Sequence, residues 1–235
     1  MLRPFEQTVI NAKEAGATVL RTVTSSGRRY EAYHSAAEVE DFQKKAMESI
    51  RWVEPILKKH KVKLAVENHK DWTAPELAAA MKSISSEHVG VTLDFGNSIA
   101  LTELPMDVIT TLVPYLVSTH VKDMAVEEYA DGFLLSEVPL GKGVVDLDKA
   151  FALCMKQNSK ANFSLEMITR DPLKIPNRTE AYKAVVPTKQ IDIGALKKKQ
   201  TENPPYVSQL SDEQKLAVEE ENILKCIDYS KKNLK

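Results

Sequence analysis

The sequence predicts an α/β fold of the (β/α)8-barrel type that is incomplete, with about six strands and the first one or two missing. Three observations predict this fold class. Short apolar segments that suit strands alternate with amphipathic segments that suit helices, as in a parallel sheet. The strand segments are nearly continuous apolar runs, which is expected when both faces of a sheet are buried. The length of 235 residues suits one barrel domain, which commonly has roughly 200–250 residues.

Local signals justify each element. Gly16 suits the end of a first helix, and Thr73 with Glu76 forms a capping box at the start of a later one. Asp146 and Ser211 are expected to cap the last two helices. The predicted helices cover residues 4–15, 36–59, a segment from 73, 106–115, a segment from 146 to about 157, and a final helix from 211. The predicted strands cover residues 17–24, 62–67, 89–94, 117–121, 134–140 and 162–167.

The predicted domain organisation is a single barrel domain over residues 1–235. A polar segment at about 170–210 contains most of the late prolines and is expected to be a long irregular insertion before the final helix. The chain starts with a helix, and six strands are too few for a closed eight-stranded barrel. Either the barrel is an open variant or its N-terminal strands are missing from this sequence, and we favour the second interpretation.

Composition excludes several function classes. The net charge is −1, from 32 basic and 33 acidic residues, so no basic excess indicates a nucleic-acid or membrane partner. The N-terminus has no apolar signal-peptide core, and no stretch approaches the roughly 18 apolar residues of a membrane-spanning helix. Cys154 and Cys226 match no zinc spacing and are expected to be buried thiols. The chain is therefore expected to be cytoplasmic, although a longer precursor could carry a leader.

Four predicted strands end in a residue that can bind a metal: Glu67, Asp94, His120 and Glu166. The carboxyl ends of the strands in a parallel barrel meet on one face, so these residues should converge. A single carboxylate at a strand end is more often a helix cap or loop residue, but four such residues together are costly to bury unless a cation compensates for them. Three carboxylates and one imidazole suit Mn²⁺, Mg²⁺, Co²⁺ or Zn²⁺. One divalent ion is therefore predicted, with Mn²⁺ favoured.

Five short motifs follow one another along the chain: AVENHKD, VTLDFGNS, STHVKD, PLGKG and SLEM. In this order they resemble the xylose isomerase-like TIM barrel superfamily, and in particular its sugar phosphate isomerase/epimerase branch, which includes tagatose epimerase-like enzymes. The resemblance covers about residues 5–170 and the closing helix. It implies a ligand set of Glu, Asp, His and Glu in the order found here. The stretches EVPLGKG and SLEMITRDP also resemble a branch with members that act on 3-oxo-glycosides.

The resemblance implies a metal-dependent isomerase or epimerase that acts on a ketose or keto-sugar through an enediolate. Glu67 and Glu166 would exchange the substrate proton, and Lys122 would polarise a substrate oxygen, although a salt-bridged lysine is an equal alternative. Asp123 could orient a ligand. Substrate contacts are predicted for Asn68, His69, Asn97, Lys142 and Arg170. The expected partner is a small sugar, and a homodimer stays open.

Asn97 departs from the family pattern, because many relatives have histidine there. This difference argues against a DNA-repair endonuclease of the superfamily, which needs more histidines around several metals. Two alternatives to the isomerase remain. One is a lyase or dehydratase-type enzyme acting on a 3-oxo-glycoside or a dehydroshikimate-like acid. The other is an inactive truncated barrel that only binds metal or sugar.

Overall fold

The computed structural model describes residues 2–25, 27–187 and 191–234. Its helices are α1 (Leu2–Glu14), α2 (Arg29–Ala32), α3 (Ala36–His60), α4 (Ala74–Ile84), α5 (Pro105–Leu112), α6 (Leu147–Gln157), α7 (Glu180–Val185), α8 (Ile193–Lys197) and α9 (Asp212–Asn233). Its strands are β1 (Val19–Thr22), β2 (Lys63–Glu67), β3 (Val89–Asp94), β4 (Leu116–Val121), β5 (Asp123–Tyr129), β6 (Gly132–Val138), β7 (Asn162–Leu165) and β8 (Leu173–Ile175).

The main sheet is parallel and has the order β1-β2-β3-β4-β7. Residues of β2 and β3 are almost all buried, whereas those of β1 and β7 are mostly half-buried or exposed. Within the described residues β1 and β7 are the two edges of this sheet, so the sheet forms an open part of a barrel. This arrangement confirms the prediction of an incomplete (β/α)8 barrel.

A second, antiparallel sheet in the order β5-β6-β8 was not predicted. The segment 134–140 was expected to be a sixth parallel strand. It instead belongs largely to β6, which pairs with β5 from Asp123↔Val138 to Tyr129↔Gly132. The expectation was wrong because the turn at 130–131 sends the chain straight back along β5, and an antiparallel hairpin has no crossover helix. The parallel sheet therefore has five strands instead of six.

The segment 170–210 is more ordered than its composition indicates. It contains β8, which is the third strand of the second sheet, and α7 and α8, which pack against that sheet. These elements bury Ile175, Tyr182, Val185 and Leu196. The predicted insertion is thus partly regular structure, because these apolar residues cover a face that the hairpin would otherwise expose.

Helix ends follow the predicted capping signals. Thr73 and Glu76 form the capping box of α4, and Ser211 and Gln214 form that of α9. The Asp146 carboxylate accepts a hydrogen bond from the backbone N–H of Lys149 at the start of α6. A large core cluster lies between the parallel sheet and its helices, and it includes the two free thiols, both buried. Among the helices of the described ranges, none is both long and apolar enough to cross a bilayer.

Candidate metal centre

The parallel sheet brings the four predicted ligands together. Glu67 and Asp94 are the last residues of β2 and β3, His120 is next to last in β4, and Glu166 directly follows β7. One ligand atom from each residue lies within 4.8 Å of one from every other. Asp94 and His120 are partners in the β3–β4 register, and the N–H of Glu166 donates to the carbonyl of Val121, which extends the β4–β7 pairing. The convergence therefore follows from strand register.

His120 lies at the middle of this cluster. Its Nδ1 is 2.7 Å from Glu166 Oε2, 3.5 Å from Glu67 Oε1 and 4.0 Å from Asp94 Oδ2. Contact with the Glu166 and Glu67 carboxylates raises the pKa of His120 to about 9, against the opposing effect of burial. Protonated imidazole supplies positive charge at the point where the carboxylates meet.

The atoms facing one another in the cluster fit a cation. Asp94 Oδ2, His120 Nδ1 and Glu166 Oε2 are buried and have ion-pair contacts with one another or with Lys122, but none makes a hydrogen bond of good geometry. Unsatisfied buried polar atoms are rare and require an explanation, such as an ion. Oxygen and imidazole donors without thiolate suit Mg²⁺, Mn²⁺, Co²⁺ or catalytic Zn²⁺. The residues present therefore fit one divalent cation.

Lys122 adds a fixed positive charge on one side of the cluster. Only 1% of its side chain is exposed, and its Nζ lies 3.0 Å from Asp94 Oδ2, 3.2 Å from Glu166 Oε1 and 3.9 Å from Glu137 Oε1. Burial would lower the pKa of Lys122, but these carboxylates outweigh burial and raise it above its ordinary value. Lys122 is thus a charged group at the edge of the sheet where the carboxyl ends of the parallel strands meet.

Glu67 is completely buried and held from two sides. Its Oε1 accepts a 2.9 Å hydrogen bond from Asn97 Nδ2, and its Oε2 pairs with the Arg21 guanidinium from the edge strand β1. Burial would raise the pKa of Glu67, but the contacts with His120 and Arg21 lower it below the usual value. Glu67 is therefore a carboxylate of fixed orientation.

Asn97 connects Glu67 to two buried lysines. Its Oδ1 accepts hydrogen bonds from Lys70 Nζ and, at 3.4 Å, from Lys122 Nζ. Burial and the nearby Lys122 charge lower the pKa of Lys70 to about 8. The amide is therefore the acceptor for two cations, a role that an imidazole at this position could not fill with one lone pair.

Asn68 positions Asp94. Its side chain is buried; its Nδ2 donates to the carbonyl of Asp94 and to Ser98 Oγ, and its Oδ1 accepts from the N–H of Asp94. Asp94 Oδ1 in turn accepts from the N–H groups of Gly96 and Asn97. These contacts occupy the donors and the acceptor of the Asn68 amide and leave Asp94 Oδ2 to face the cluster, where it is ion-paired with Lys122.

A small cavity of about 240 Å³ opens beside Glu166. His69, Lys70 and Arg170 line it. Arg170 also pairs with Glu137, at 3.0 Å between Nη2 and Oε1, and Glu137 is 1% exposed. Burial and the Lys70 charge lower the pKa of His69 to about 4, so that this imidazole is neutral at pH 7.

Two further sequence predictions fall elsewhere. Lys142 is exposed, and no contact joins it to the cluster within the described ranges. Asp123 does not touch a ligand; its carboxylate accepts hydrogen bonds from the N–H groups of Met124, Gly141, Gly143 and Val145. The suggested ligand-orienting role of Asp123 is therefore wrong, because its oxygens bind the PLGKG turn.

Sequence reasoning missed two buried charges near the cluster, Lys70 and Glu137. Lys70 stands in the same strand-end segment as Glu67, and that position was a usable signal. Glu137 begins the stretch EVPLGKG, but its role was missed because it reaches the cluster from β6 of the unpredicted antiparallel sheet.

Comparisons with known proteins agree with this architecture. A curated relative, a 3-oxo-isoapionate decarboxylase from Pectobacterium atrosepticum, is 32% identical over 108 residues, which are 45% of this chain and 39% of that protein. The chain thus spans about two fifths of the length of that relative.

Solved structures show the same fold at low identity. A D-psicose 3-epimerase crystallised in the presence of D-fructose matches with a TM-score of 0.61 and 18% identity, over 98% of this chain and 69% of that one. A protein from Mycobacterium smegmatis in complex with magnesium matches with a TM-score of 0.59 and 18% identity, over 77% and 65%. The profile of one family, described as xylose isomerase-like TIM barrel, matches residues 2–186. The chain therefore belongs to the xylose isomerase-like TIM barrel family.

Proposed function

We propose that this chain is a divalent-metal-dependent sugar isomerase or epimerase that moves a proton on a ketose or keto-sugar through an enediolate. The observation that carries the proposal is the placement of two glutamates against one imidazole in a cluster of four metal-ligand residues. Glu67 and Glu166 approach His120 Nδ1 from different strands, at 3.5 and 2.7 Å. Two carboxylates at one centre suit the removal and return of a proton.

The proposed ligands are Glu67, Asp94, His120 and Glu166, with Mn²⁺ favoured over Mg²⁺, Co²⁺ and Zn²⁺. A divalent cation held there would supply Lewis-acid stabilisation of negative charge on neighbouring substrate oxygens. The unsatisfied atoms of Asp94, His120 and Glu166 support this assignment.

Glu166 is the better placed of the two glutamates to take a proton from substrate. Its side chain is 25% exposed and lines the cavity, whereas Glu67 is fully buried. Burial would raise the pKa of Glu166, but His120 and Lys122 lower it well below the ordinary value, so it is ionised at pH 7. Glu67, ionised and oriented by Arg21 and Asn97, would exchange the proton on the other side.

Other residues would bind and orient the substrate. Lys122 can donate a hydrogen bond to a substrate oxygen from its position between Asp94 and Glu166. His69 and Arg170 line the cavity and can contact substrate oxygens directly. Asn97 can position Glu67, Lys70 and Lys122 through its hydrogen bonds to them. Lys142 lies in an exposed turn and would need to reach the site from there.

A lyase is the second candidate, and the decarboxylase relative favours it. Both reactions need a carbanion next to a carbonyl to be stabilised. In a lyase this carbanion forms by loss of carbon dioxide from a carboxylate, or expels a leaving group on the neighbouring carbon. A barrel that only binds metal or sugar is the remaining alternative.

Product analysis in deuterium oxide separates these functions. The Mn²⁺-loaded protein is incubated with ketoses, 3-oxo-glycosides and 3-oxo sugar acids, and products are analysed by mass spectrometry. An isomerase or epimerase incorporates deuterium at carbon and leaves the formula otherwise unchanged, whereas a lyase releases water, carbon dioxide or an aglycone. Metal binding with neither outcome across the panel would reject both enzymatic proposals.

A further inference from the structure

The cavity beside Glu166 is rich in cationic side chains. Arg28, Lys70 and Arg170 line it together with the neutral imidazole of His69, and Glu166 and Glu31 are its two acidic residues. Arg28 pairs with Glu31 at 2.5 Å, so these two charges offset each other. The cavity has a volume of about 240 Å³, which is below the ~300–1,000 Å³ of sites for drug-sized ligands and therefore suits a small molecule.

Lys70 is held in this wall by its backbone. Its φ of 74° is in the left-handed region, where a residue with a side chain is uncommon. The turn is fixed because Asp71 Oδ1 accepts from the N–H groups of His69 and Trp72, and the carbonyl of Lys70 accepts from the N–H of Arg29. A lysine placed this way is 5% exposed, which is costly for a cation without a strong partner.

The hydrogen-bond partners of Lys70, Arg170 and the neutral His69 are incomplete. Lys70 Nζ donates to the neutral amide of Asn97 and to no carboxylate in the described part of the chain. One Arg170 nitrogen pairs with Glu137, but its Nε is buried and makes no hydrogen bond. His69 Nδ1 is likewise buried and unpartnered. A guanidinium carries five N–H donors, so Arg170 can bind a second anion while keeping Glu137.

The balance of charged side chains around the ligand cluster also favours an anionic ligand. Four buried or half-buried carboxylates belong to it: Glu67, Asp94, Glu137 and Glu166. Four cations balance them: Arg21, Lys70, Lys122 and Arg170. A divalent cation at the ligand cluster would therefore add positive charge to a set that is already balanced. Such a site favours an anionic ligand, because charges interact strongly where water is excluded.

We propose that this cavity is an anion subsite, in which Lys70 and Arg170 bind a carboxylate or phosphate group carried by the sugar substrate next to its reacting carbonyl. Glu166 borders both the cavity and the ligand cluster, so an anion bound by Lys70 lies beside the reacting carbon. The inference rests on the proposed metal-dependent sugar chemistry, and it sets the substrate class as a keto-sugar acid or keto-sugar phosphate.

Matched probes test the subsite. D-Fructose, 2-oxo-D-gluconate and D-fructose 1-phosphate share the C2 carbonyl and C3–C6, and differ in a neutral, carboxylate or phosphate group at C1. Binding of each probe to the Mn²⁺-loaded protein is measured calorimetrically at pH 7, in a buffer that contains no carboxylate or phosphate. One of the two anions should bind at least about tenfold more tightly than D-fructose, since a hydrogen bond to a charged group contributes ~1.5–3 kcal/mol. The anion that binds more tightly shows whether the subsite recognises a carboxylate or a phosphate group.

Variants separate the subsite from direct chelation of the cation by the probe. Lys70→Gln and Arg170→Gln keep a hydrogen-bonding side chain without the charge, and each should reduce the preference for the anion to within about threefold of D-fructose. Lys183→Gln and Arg178→Gln, at exposed ion pairs with Glu180 and Glu128, are the matched controls and should retain it. Equal binding of all three probes to wild type, or an unchanged preference in both test variants, would overturn the inference.

Metal titration and thermal unfolding of each variant distinguish the two levels of failure. If wild type binds Mn²⁺ and exchanges deuterium into D-fructose without preferring an anion, the subsite is wrong and the proposed function stands. If wild type binds no Mn²⁺, the proposed function fails and the inference with it. Should Lys70→Gln not fold, Arg170→Gln decides the result.

Discussion

The Nδ1 of His120 lies 2.7 Å from Oε2 of Glu166. His120 is in β4 and Glu166 directly follows β7, and these neighbouring strands are separated by a hairpin and a helix in the sequence. The same nitrogen faces Glu67 and Asp94. A proton on the imidazole and a divalent cation are therefore alternative ways to balance the same three carboxylates.

The first prediction concerns the pH dependence of the metal-free protein. The folded-state pKa of His120 is raised from 6.5 to about 9, so the stability contributed by its charged form is full below about pH 6.5 and is lost as the pH rises through about 9. Thermal unfolding in the presence of a chelator should show this loss. His120→Gln should remove that part of the pH dependence, and an unchanged slope in this variant would contradict the assigned contacts.

The second prediction is that one divalent ion binds per chain. Asp94→Asn removes a charge from the proposed ligand set and should weaken Mn²⁺ binding at least ~10-fold, the lower range for disturbing a metal site. Asp131→Asn, at an exposed turn, is the control and should bind as wild type does. Elemental analysis that finds no ion, or three ions, per wild-type chain would reject the site.

The third prediction is that Glu166→Gln loses turnover and keeps the fold. The change removes the ion pairs with His120 and Lys122 and should lower the melting temperature, but the variant should still fold because Asp94 and Glu137 remain near Lys122. Deuterium incorporation into the substrate at saturating Mn²⁺ should fall at least ~100-fold, because general acid–base groups contribute ~10²–10⁴. Glu180→Gln, an exposed change in α7, should retain turnover. Wild-type exchange in Glu166→Gln would remove this residue from the mechanism.

The fourth prediction assigns Asp123 a structural role. Asp123→Ala leaves the buried N–H groups of Met124 and Val145 without their acceptor and should lower the free energy of unfolding by about 3 kcal/mol. Metal stoichiometry should stay at that of wild type, because Asp123 touches no proposed ligand. Chemical denaturation and elemental analysis measure the two effects. A stable variant that has lost its metal would restore the ligand-orienting role to Asp123.

Much of the parallel sheet was predictable because its signals are local. The apolar run 89–94 became β3 with the same limits, and the capping boxes at Thr73 and Ser211 begin the helices that they predict. The convergence of Glu67, Asp94, His120 and Glu166 followed from one rule, that parallel strands end on one face. The sheet of β5, β6 and β8 was not predictable in the same way, because a strand segment such as 134–138 has the same composition whether its neighbour is parallel or antiparallel.

By itself the sequence determined the five parallel strands and the longer helices, the four residues at strand ends and the resemblance that names their family. Only the tertiary structure decided which charges meet around them. Lys70, Glu137 and Arg170 come from a left-handed turn, a second sheet and a loop after β7, and their distances depend on how these segments pack. Electrostatic interactions are set by distance and burial, which sequence spacing does not encode across separate elements.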